Sequence, residues 1–186
     1  LFGWDVHGKT LGIVGFGRIG QALARRAALG FGMPVLYHGP RAVELPELAG
    51  KSQHMGLDAL LAQADIVALT LPLTATTRGL FNAERFAAMK PGAIVVNGAR
   101  GAIVDEAALL AALDSGHLRA AGLDVFATEP LPQDSPLRTH PKVTALPHIG
   151  SATFETRHAM AVLATSNLLQ GLAGGTPGAV FGTSGA

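Results

Sequence analysis

One short segment, GFGRIG at residues 15–20, restricts the fold of this chain more than any other feature. It follows the apolar run TLGIVG, which predicts a buried strand, and it opens an alanine-rich stretch that predicts a helix to about Leu29. A G-x-G-x-x-G motif between a strand and a helix is typical of dinucleotide-binding domains, whereas the same letters elsewhere often mark an ordinary glycine turn. The segment therefore predicts a Rossmann-type fold.

The three glycines of this motif have different expected roles. Gly15 permits the tight turn, Gly17 lets the backbone reach a pyrophosphate, and Gly20 lets the helix pack closely on the sheet. The free N–H groups and the dipole at the start of the helix favour an anion there. These properties predict that the motif binds the pyrophosphate of a dinucleotide.

Apolar and helical segments alternate along the rest of the chain. Further strands are predicted at residues 34–37, 65–69, 93–96, 120–125 and 143–146, and further helices at residues 57–63, 83–89, 106–114 and 154–172. Residues 38–51 are polar and predict a loop. Continuously apolar strands that alternate with helices indicate a parallel sheet covered on both faces. We therefore predict an α/β fold with a doubly wound, three-layer sheet, as a single domain at residues 1–173 followed by a loose tail at residues 174–186.

Composition excludes several classes of protein. The length of 186 residues fits one domain, and a hydrophobic content of 48% excludes a disordered chain. A net charge of +1 argues against nucleic-acid binding, and the absence of cysteine excludes disulfides and thiolate metal sites; no metal is expected. Polar residues and glycines interrupt the uncharged segment from residue 158 onward, which argues against a membrane span. No signal peptide is visible, and we expect a soluble, cytoplasmic protein.

The end of the second predicted strand bears on the choice of cofactor. NAD-binding domains usually carry an Asp or Glu there, which bonds the ribose 2′-hydroxyl and repels a 2′-phosphate. This chain reads Tyr37-His38-Gly39-Pro40-Arg41, and Glu44 lies too far into the loop to take that role. The missing carboxylate, together with Arg41, favours NADP, with NAD as the other possibility. The alternative is that Arg41 is an ordinary solvated charge.

Three neighbouring strand ends each supply one ionisable group. Arg100 follows the strand at 93–96 in the sequence NGARG, Glu129 follows the next strand, and His148 ends the last one. Ligands of open α/β sheets bind at this edge, where a guanidinium can clamp a carboxylate and a histidine can exchange a proton. A neighbouring carboxylate would favour the imidazolium form, a donor suited to carbonyl reduction. Taken singly, Arg100 is better interpreted as a surface salt-bridge residue, and His148 as a helix-capping or loop histidine; the flanking glycines and the neighbouring strand ends favour the site instead.

The motifs GKTLGIVGFGRIG, NGARGAIVDE, GLDVFATEP and PHIGSAT together resemble the D-isomer-specific 2-hydroxyacid dehydrogenases over nearly the whole chain. Within that family, the segments LPLTATTRGLF, PLPQDSPL and PHIGSATFETR are most similar to the branch of glyoxylate/hydroxypyruvate reductases and 2-ketogluconate reductases. The resemblance implies an oxidoreductase that interconverts a small 2-keto acid and a D-2-hydroxy acid with NAD(P)H. A homodimer is expected.

The resemblance also implies a role for individual residues. Arg100 would bind the substrate carboxylate and carbonyl, His148 would be the acid/base, and Glu129 would be its partner. Cofactor contacts are implied for Gly15, Gly17, Arg18, Ile19 and Gly20 at the pyrophosphate, Arg41, Pro72 and Thr77 on the adenosine side, and Gly98, Ala99, Asp124, His148 and Gly150 on the nicotinamide side.

The family pattern includes a substrate-binding half that precedes the position of Leu1. Without that half, this chain is expected to bind a dinucleotide but to be inactive alone. Two other classes of function remain open: a nicotinamide-sensing regulator similar to the corepressors of the same fold, and a dinucleotide-binding module without chemistry.

Overall fold

The structure, a computed structural model, describes residues 3–178, and the chain divides into two compact units. The first unit ends at His148, and the second begins at Ile149. The strands of the first unit are β1 (Leu11–Val14), β2 (Val35–His38), β3 (Ser52–His54), β4 (Ile66–Leu69), β5 (Ala93–Asn97), β6 (Leu118–Leu123) and β7 (Val143–Ala145). Its α-helices are α1 (Arg18–Arg25), α2 (Leu57–Leu61), α3 (Ala83–Ala87) and α4 (Glu106–Asp114).

Over the described residues the strands form one seven-stranded sheet in the order β3-β2-β1-β4-β5-β6-β7, and every pair is parallel. From β1 the chain adds β2 and then β3 on one side of the sheet. It then returns to the other side of β1 and adds β4, β5, β6 and β7 in turn. In register, Leu11 pairs with both Val35 and Ile66. The order reverses between β1 and β4, which is where doubly wound sheets bind their ligands. The predicted fold is confirmed.

Each face of the sheet has its own hydrophobic core, because side chains alternate along a strand. On one face, Ile13 and Tyr37 pack with Ala24 of α1. On the other, Val14 and its neighbours pack with Leu60 of α2, Phe86 of α3 and Leu109 of α4. The large side chains that are fully buried here, Ile13, Leu60, Phe86 and Leu109, each contribute about 1.5–3 kcal/mol by leaving water. The two cores give the three layers that the sequence predicts.

Most predicted bounds differ from the structure by one or two residues, and three differences have a structural cause. A seventh strand, β3, lies beyond the predicted loop, since its sequence Ser52-Gln53-His54 is too polar to give a strand signal at the edge of a sheet. The predicted strand at 120–125 is β6 at Leu118–Leu123, where the pairing with β5 shifts register beside Ala93 and Ile94. The first helix ends at Arg25 and continues as one π-helical turn, Arg26–Gly30.

Among its described residues, 149–178, the second unit contains one helix, α5 (Phe154–Leu172), which has the predicted bounds. Its N-cap is Thr153, whose side-chain oxygen accepts a hydrogen bond from the N–H of Thr156 at 3.1 Å. Gly174, with φ of +76°, follows the C-cap, and its N–H bonds the carbonyl of Gly171. Residues 179–186 of the predicted loose tail lie outside the described residues. Among residues 3–178, no helix combines the length and apolar character needed to cross a bilayer.

Candidate active site

The glycine-rich loop after β1 has two glycines that packing requires and one that faces open space. Gly15 has φ of +96°, and a Cβ there would lie 2.6 Å from the main chain of Leu71. A Cβ at Gly20 would overlap the carbonyl oxygen of Gly15, so α1 passes closer to the loop than any side chain would allow. Nothing lies within 4 Å of the Cβ position of Gly17. The loop therefore leaves a free surface at its central glycine.

The first turn of α1 borders this free surface. Gly17 is the N-cap and has no side chain to cap the helix, and no acidic residue lies in the first turn. Arg18 and Ile19 are exposed. The first N–H groups of a helix have no partner within the helix and carry partial positive charge. The free surface at Gly17 and these N–H groups together fit a pyrophosphate.

Thr70, directly after β4, holds the glycine-rich loop in place from the neighbouring strand. Its hydroxyl donates to the carbonyl of Gly15 at 2.6 Å, and its N–H bonds the carbonyl of Val14. Sequence reasoning missed this residue, although a polar side chain directly after an apolar strand is a signal that could have found it. The contact fixes the glycine-rich loop against β4.

Pro72 and Thr77, two predicted cofactor residues, lie together in the loop after β4. The Thr77 hydroxyl donates to the carbonyl of Pro72 at 2.7 Å and accepts from the N–H of Thr74 at 2.8 Å. Both hydrogen bonds are internal to the loop, so they hold its conformation. Arg41, in the turn after β2, is exposed and has no ion pair with any described residue.

The loop after β5 is organised by Asn97, the one buried polar side chain among the described residues, which is 1% exposed. Its Oδ1 accepts from the N–H of Ala99 at 3.0 Å, and its Nδ2 donates to the carbonyl of Arg100 at 3.1 Å. Its own carbonyl accepts from the N–H of Asp124 at the end of β6. The Asn97 amide therefore fixes the turn that carries Gly98 and Arg100. Gly98 is open to solvent.

The loops after β5 and β6 are in direct contact at Gly101. A Cβ there would overlap the main-chain carbonyl of Phe126, so no other residue fits without moving one of the two loops. This close approach brings Arg100 towards Glu129. The Arg100 guanidinium is exposed, donates to the carbonyl of Ala99 at 2.6 Å, and forms no ion pair with any described residue. The salt-bridge interpretation of Arg100 therefore has no support.

Glu129 and His148 form a hydrogen-bonded pair. Glu129 Oε2 lies 2.8 Å from His148 Nδ1, and Glu129 Oε1 accepts from the N–H of Phe126 at 3.0 Å. A carboxylate only accepts, so Nδ1 carries the proton and Nε2 is the remaining ring nitrogen. His148 has φ of +55°, which is unusual for a residue other than glycine. The side chains remain 48% and 35% exposed for His148 and Glu129, so the pair is accessible.

The electrostatics of the pair link all three predicted groups. The hydrogen bond from His148 lowers the pKa of Glu129 below its ordinary value, and the Phe126 N–H lowers it further. Partial burial opposes this shift, while the positive charges of His148 and Arg100 add to it. The carboxylate of Glu129 is therefore ionised over the neutral range and sits within the field of Arg100. The structure brings Arg100, Glu129 and His148 together at one edge of the sheet.

The remaining site predictions differ in their surroundings. Asp124 is half-buried directly after β6, and Ala99 is buried. Gly150 belongs to the second unit.

A cavity of about 620 Å³ adjoins the Glu129–His148 pair and is lined further by Phe126, Leu131, Arg138 and Leu146 among others. Within residues 3–178, no cluster of three or more histidine or acidic side chains is arranged to hold a metal ion.

Comparison with known proteins agrees with this geometry. Residues 1–150 match the family model described as D-isomer specific 2-hydroxyacid dehydrogenase, NAD binding domain. Glyoxylate/hydroxypyruvate reductase B of Escherichia fergusonii is 57% identical over 173 residues, which are 93% of this chain and 53% of the relative. The chain thus spans about half the length of the curated relatives it matches.

Two solved structures show the same fold. A protein of Thermus thermophilus superposes with a TM-score of 0.88 and 51% identity, over 95% of this chain and 55% of that one. A D-isomer specific 2-hydroxyacid dehydrogenase of Xanthobacter autotrophicus, solved in complex with NADPH and MES, gives a TM-score of 0.80 and 37% identity, over 94% of this chain and 71% of that one.

Proposed function

This chain belongs to the D-isomer-specific 2-hydroxyacid dehydrogenases, and from that premise we propose that it is the cofactor-binding half of an enzyme that reduces a small 2-keto acid to the D-2-hydroxy acid. Glyoxylate and hydroxypyruvate are the proposed substrates, because relatives of 56–58% identity carry the name glyoxylate/hydroxypyruvate reductase B. 2-Ketogluconate is retained from the sequence resemblance. The observation that carries the proposal is the Glu129–His148 hydrogen bond beside Arg100.

The three side chains are suited to separate tasks. Arg100, which has no carboxylate partner among the described residues, is free to bind the substrate carboxylate through two parallel N–H bonds and to orient the carbonyl. Glu129 holds His148 through Nδ1 and leaves Nε2 to face the substrate oxygen. Glu129 stays ionised beside the ring, because the hydrogen bond from His148 lowers the pKa of this carboxylate. A proton donor therefore lies close to the group that holds the keto acid.

The proposed reaction balances with one hydride and one proton. The nicotinamide cofactor, when bound, supplies the hydride to the carbonyl carbon. His148 Nε2 gives its proton to the carbonyl oxygen as the C–O double bond becomes single, and the product is the 2-hydroxy acid. The neutral imidazole is then reprotonated from solvent, which reaches this exposed pair. In the reverse direction His148 takes the hydroxyl proton as a base.

The cofactor is proposed to be NADPH, with NADH as the weaker alternative. No carboxylate lies between Tyr37 and Arg41 to repel a 2′-phosphate, and Arg41 is exposed with no ion pair among the described residues. An NADPH complex of a family member supports this choice. The remaining contacts are proposed as predicted from the sequence: Gly15, Gly17, Arg18, Ile19 and Gly20 at the pyrophosphate, Pro72 and Thr77 near the adenosine, and Gly98, Ala99, Asp124 and Gly150 near the nicotinamide.

The test is a steady-state assay of the complete protein with glyoxylate, hydroxypyruvate and 2-ketogluconate, each with NADPH and NADH. We expect turnover with at least one keto acid, while residues 1–186 alone bind NADPH and turn over little, because only half of the substrate cleft would be present. Tight cofactor binding by the complete protein without turnover of any of these acids would favour the regulator or the plain binding module. A homodimer in the cytoplasm remains part of this proposal, and the mass of the complete protein in solution tests the dimer.

A further inference from the structure

The loop after β6, residues 124–129, carries Glu129 and is bound by a second carboxylate that the proposed reaction does not use. Glu106, the first residue of α4, accepts at Oε1 from the N–H of Ala127 at 2.7 Å. Glu106 is half-buried, whereas Ala127 is exposed. We refer to residues 124–129 as the Glu129 loop. Its contact with Glu106 ties this loop to the start of a helix.

The peptide unit between Phe126 and Ala127 is held at both of its polar ends. Its carbonyl packs against Gly101, where a Cβ would overlap it, and its N–H donates to Glu106. A peptide unit is planar, so the hydrogen bond to Glu106 also fixes the orientation of the carbonyl against Gly101. The preceding N–H, that of Phe126, donates to Glu129 Oε1 at 3.0 Å. Two consecutive N–H groups of the Glu129 loop therefore bind two different carboxylates.

The helix α4 gives Glu106 a firm support and does not need it as a cap. The N-cap Asp105 accepts at Oδ1 from the N–H groups of Ala107 and Ala108 at 3.0 and 3.1 Å, which satisfies the start of the helix. Leu109, one turn further along, is fully buried in the core and anchors the helix to the sheet. Capping therefore does not explain Glu106, whose carboxylate reaches to the Glu129 loop instead.

We propose that Glu106 is a positioning residue, which fixes the Glu129 loop through the Ala127 N–H and so keeps Glu129 in its hydrogen bonds with Phe126 and His148. The inference rests on the proposed function, since it assumes that the Glu129–His148 pair serves the reduction of a keto acid. Glu106 acts through Glu129 and not on the substrate. The reach of its side chain matters more than its charge, because what the Ala127 N–H requires is an acceptor oxygen at that distance.

The test compares three substitutions at Glu106 in the complete protein by steady-state kinetics. Glu106→Gln keeps an acceptor oxygen at the same reach and should leave kcat within about threefold. Glu106→Ala has no acceptor, and Glu106→Asp keeps the charge on a side chain one methylene shorter. Both should lower kcat by about 10-fold, because the Glu129–His148 pair is no longer held in position. KM for the keto acid should change far less than kcat, because Asn97 and not Glu106 holds the turn of Arg100.

The acid decline of kcat/KM is a readout that a loss of stability alone would not move. The Phe126 N–H helps to lower the pKa of Glu129. Without the Glu106 contact that hydrogen bond should weaken, so the acid decline should move upward by about half a pH unit in Glu106→Ala and Glu106→Asp and stay in place in Glu106→Gln. A ¹³C NMR titration of the Glu129 carboxyl measures the same shift without turnover. Glu84→Ala, which removes an exposed carboxylate from the first turn of α3, is the matched control and should change neither kcat nor the acid decline.

The outcomes separate this inference from the function on which it rests. If Glu106→Gln loses as much activity as Glu106→Ala, or if the acid decline stays in place in Glu106→Ala and Glu106→Asp, the hydrogen bond to Ala127 does not position Glu129 and the inference is wrong. If the unsubstituted protein reduces no keto acid, the proposed function fails, and equal carboxyl titrations in all variants would overturn the inference as well. Thermal unfolding shows whether each variant is folded, and Glu106→Asp against Glu106→Gln decides the matter if Glu106→Ala is not.

Discussion

Asp65 and Glu129 lie at opposite edges of the same sheet and form the same kinds of hydrogen bond. Asp65 precedes β4 at the amino edge, where Oδ2 accepts from the N–H of Thr10 at 2.9 Å and Oδ1 accepts from Lys90 Nζ at 2.5 Å. Glu129 follows β6 at the carboxyl edge and likewise accepts from one main-chain N–H and one side chain, that of His148. Each carboxylate thus joins segments that are distant in sequence.

The two carboxylates also share a direction of pKa shift. Burial raises the pKa of Asp65, but the hydrogen bonds from Lys90 and Thr10 outweigh it, and the net pKa is lowered. The pKa of Glu129 is lowered chiefly by its hydrogen bond with His148. A lowered pKa therefore does not distinguish a structural pair from a catalytic one. The difference lies in the partner, because the imidazole of His148 keeps a second ring nitrogen, which we propose donates to the substrate.

Replacing the hydrogen-bond partner of each carboxylate, His148 for Glu129 and Lys90 for Asp65, should give the largest difference in activity between the two edges. His148→Gln in the complete protein should lower kcat for keto-acid reduction by about 10²- to 10⁴-fold, since it removes a general acid. Lys90→Gln, the matched change at the amino edge, should leave kcat at 25 °C within twofold. Steady-state kinetics measure both, and the cofactor affinity of the His148 variant should change far less than kcat, because the proposed pyrophosphate contacts of the glycine-rich loop remain. A His148 variant that keeps more than a tenth of the activity would show that proton transfer occurs elsewhere.

Neutralising the carboxylate at the active edge should have a smaller effect. Glu129→Gln still offers an oxygen to Nδ1, but it replaces a charge-assisted hydrogen bond with a neutral one, and the loss of about 1–2 kcal/mol corresponds to roughly 5- to 30-fold in kcat/KM. The variant should also lack the acid decline that protonation of Glu129 gives the unsubstituted protein, and that decline should lie below the ordinary glutamate range because the pKa of Glu129 is lowered.

The pH dependence of kcat/KM measures both parts of the Glu129 prediction. Asp65→Asn serves as the control, and its pH–rate profile should coincide with that of the unsubstituted protein. A Glu129→Gln profile of unchanged shape would show that reduction does not need the ionised form of Glu129.

Sequence predicts the parts of this molecule that local patterns encode. Motif spacing and apolar runs predict the glycine-rich loop, the strand ends that carry Arg100 and His148, and the bounds of α5. The fold prediction is confirmed. The edge strand β3 was missed because a polar strand at a sheet edge has no apolar pattern.

Long-range contacts explain the other omissions. The amide of Asn97 and the hydroxyl of Thr70 act on main-chain groups, and those groups are brought within reach only by the turn after β5 and by strand pairing. The close approach of Gly101 to Phe126 depends on two loops that follow different strands. A single sequence does not report which main-chain atoms a side chain will meet after folding.

The smallest expected effect concerns stability, where the two carboxylates should behave alike. Asp65→Asn should destabilise the complete protein by about 0.5–1 kcal/mol, because its partly exposed pair with Lys90 is screened by solvent. A lowered folded-state pKa stabilises the protein above the unfolded-state pKa of about 3.9, and this contribution is lost as pH falls through the lowered value. The difference in urea midpoint between the two proteins should therefore be constant from about pH 7 to pH 5 and shrink below about pH 4. Glu129→Gln should show the same sign and the same acid decline, although only Glu129→Gln changes turnover. A difference for Asp65→Asn that grows in acid would mean that burial, and not the Lys90 bond, dominates at the amino edge.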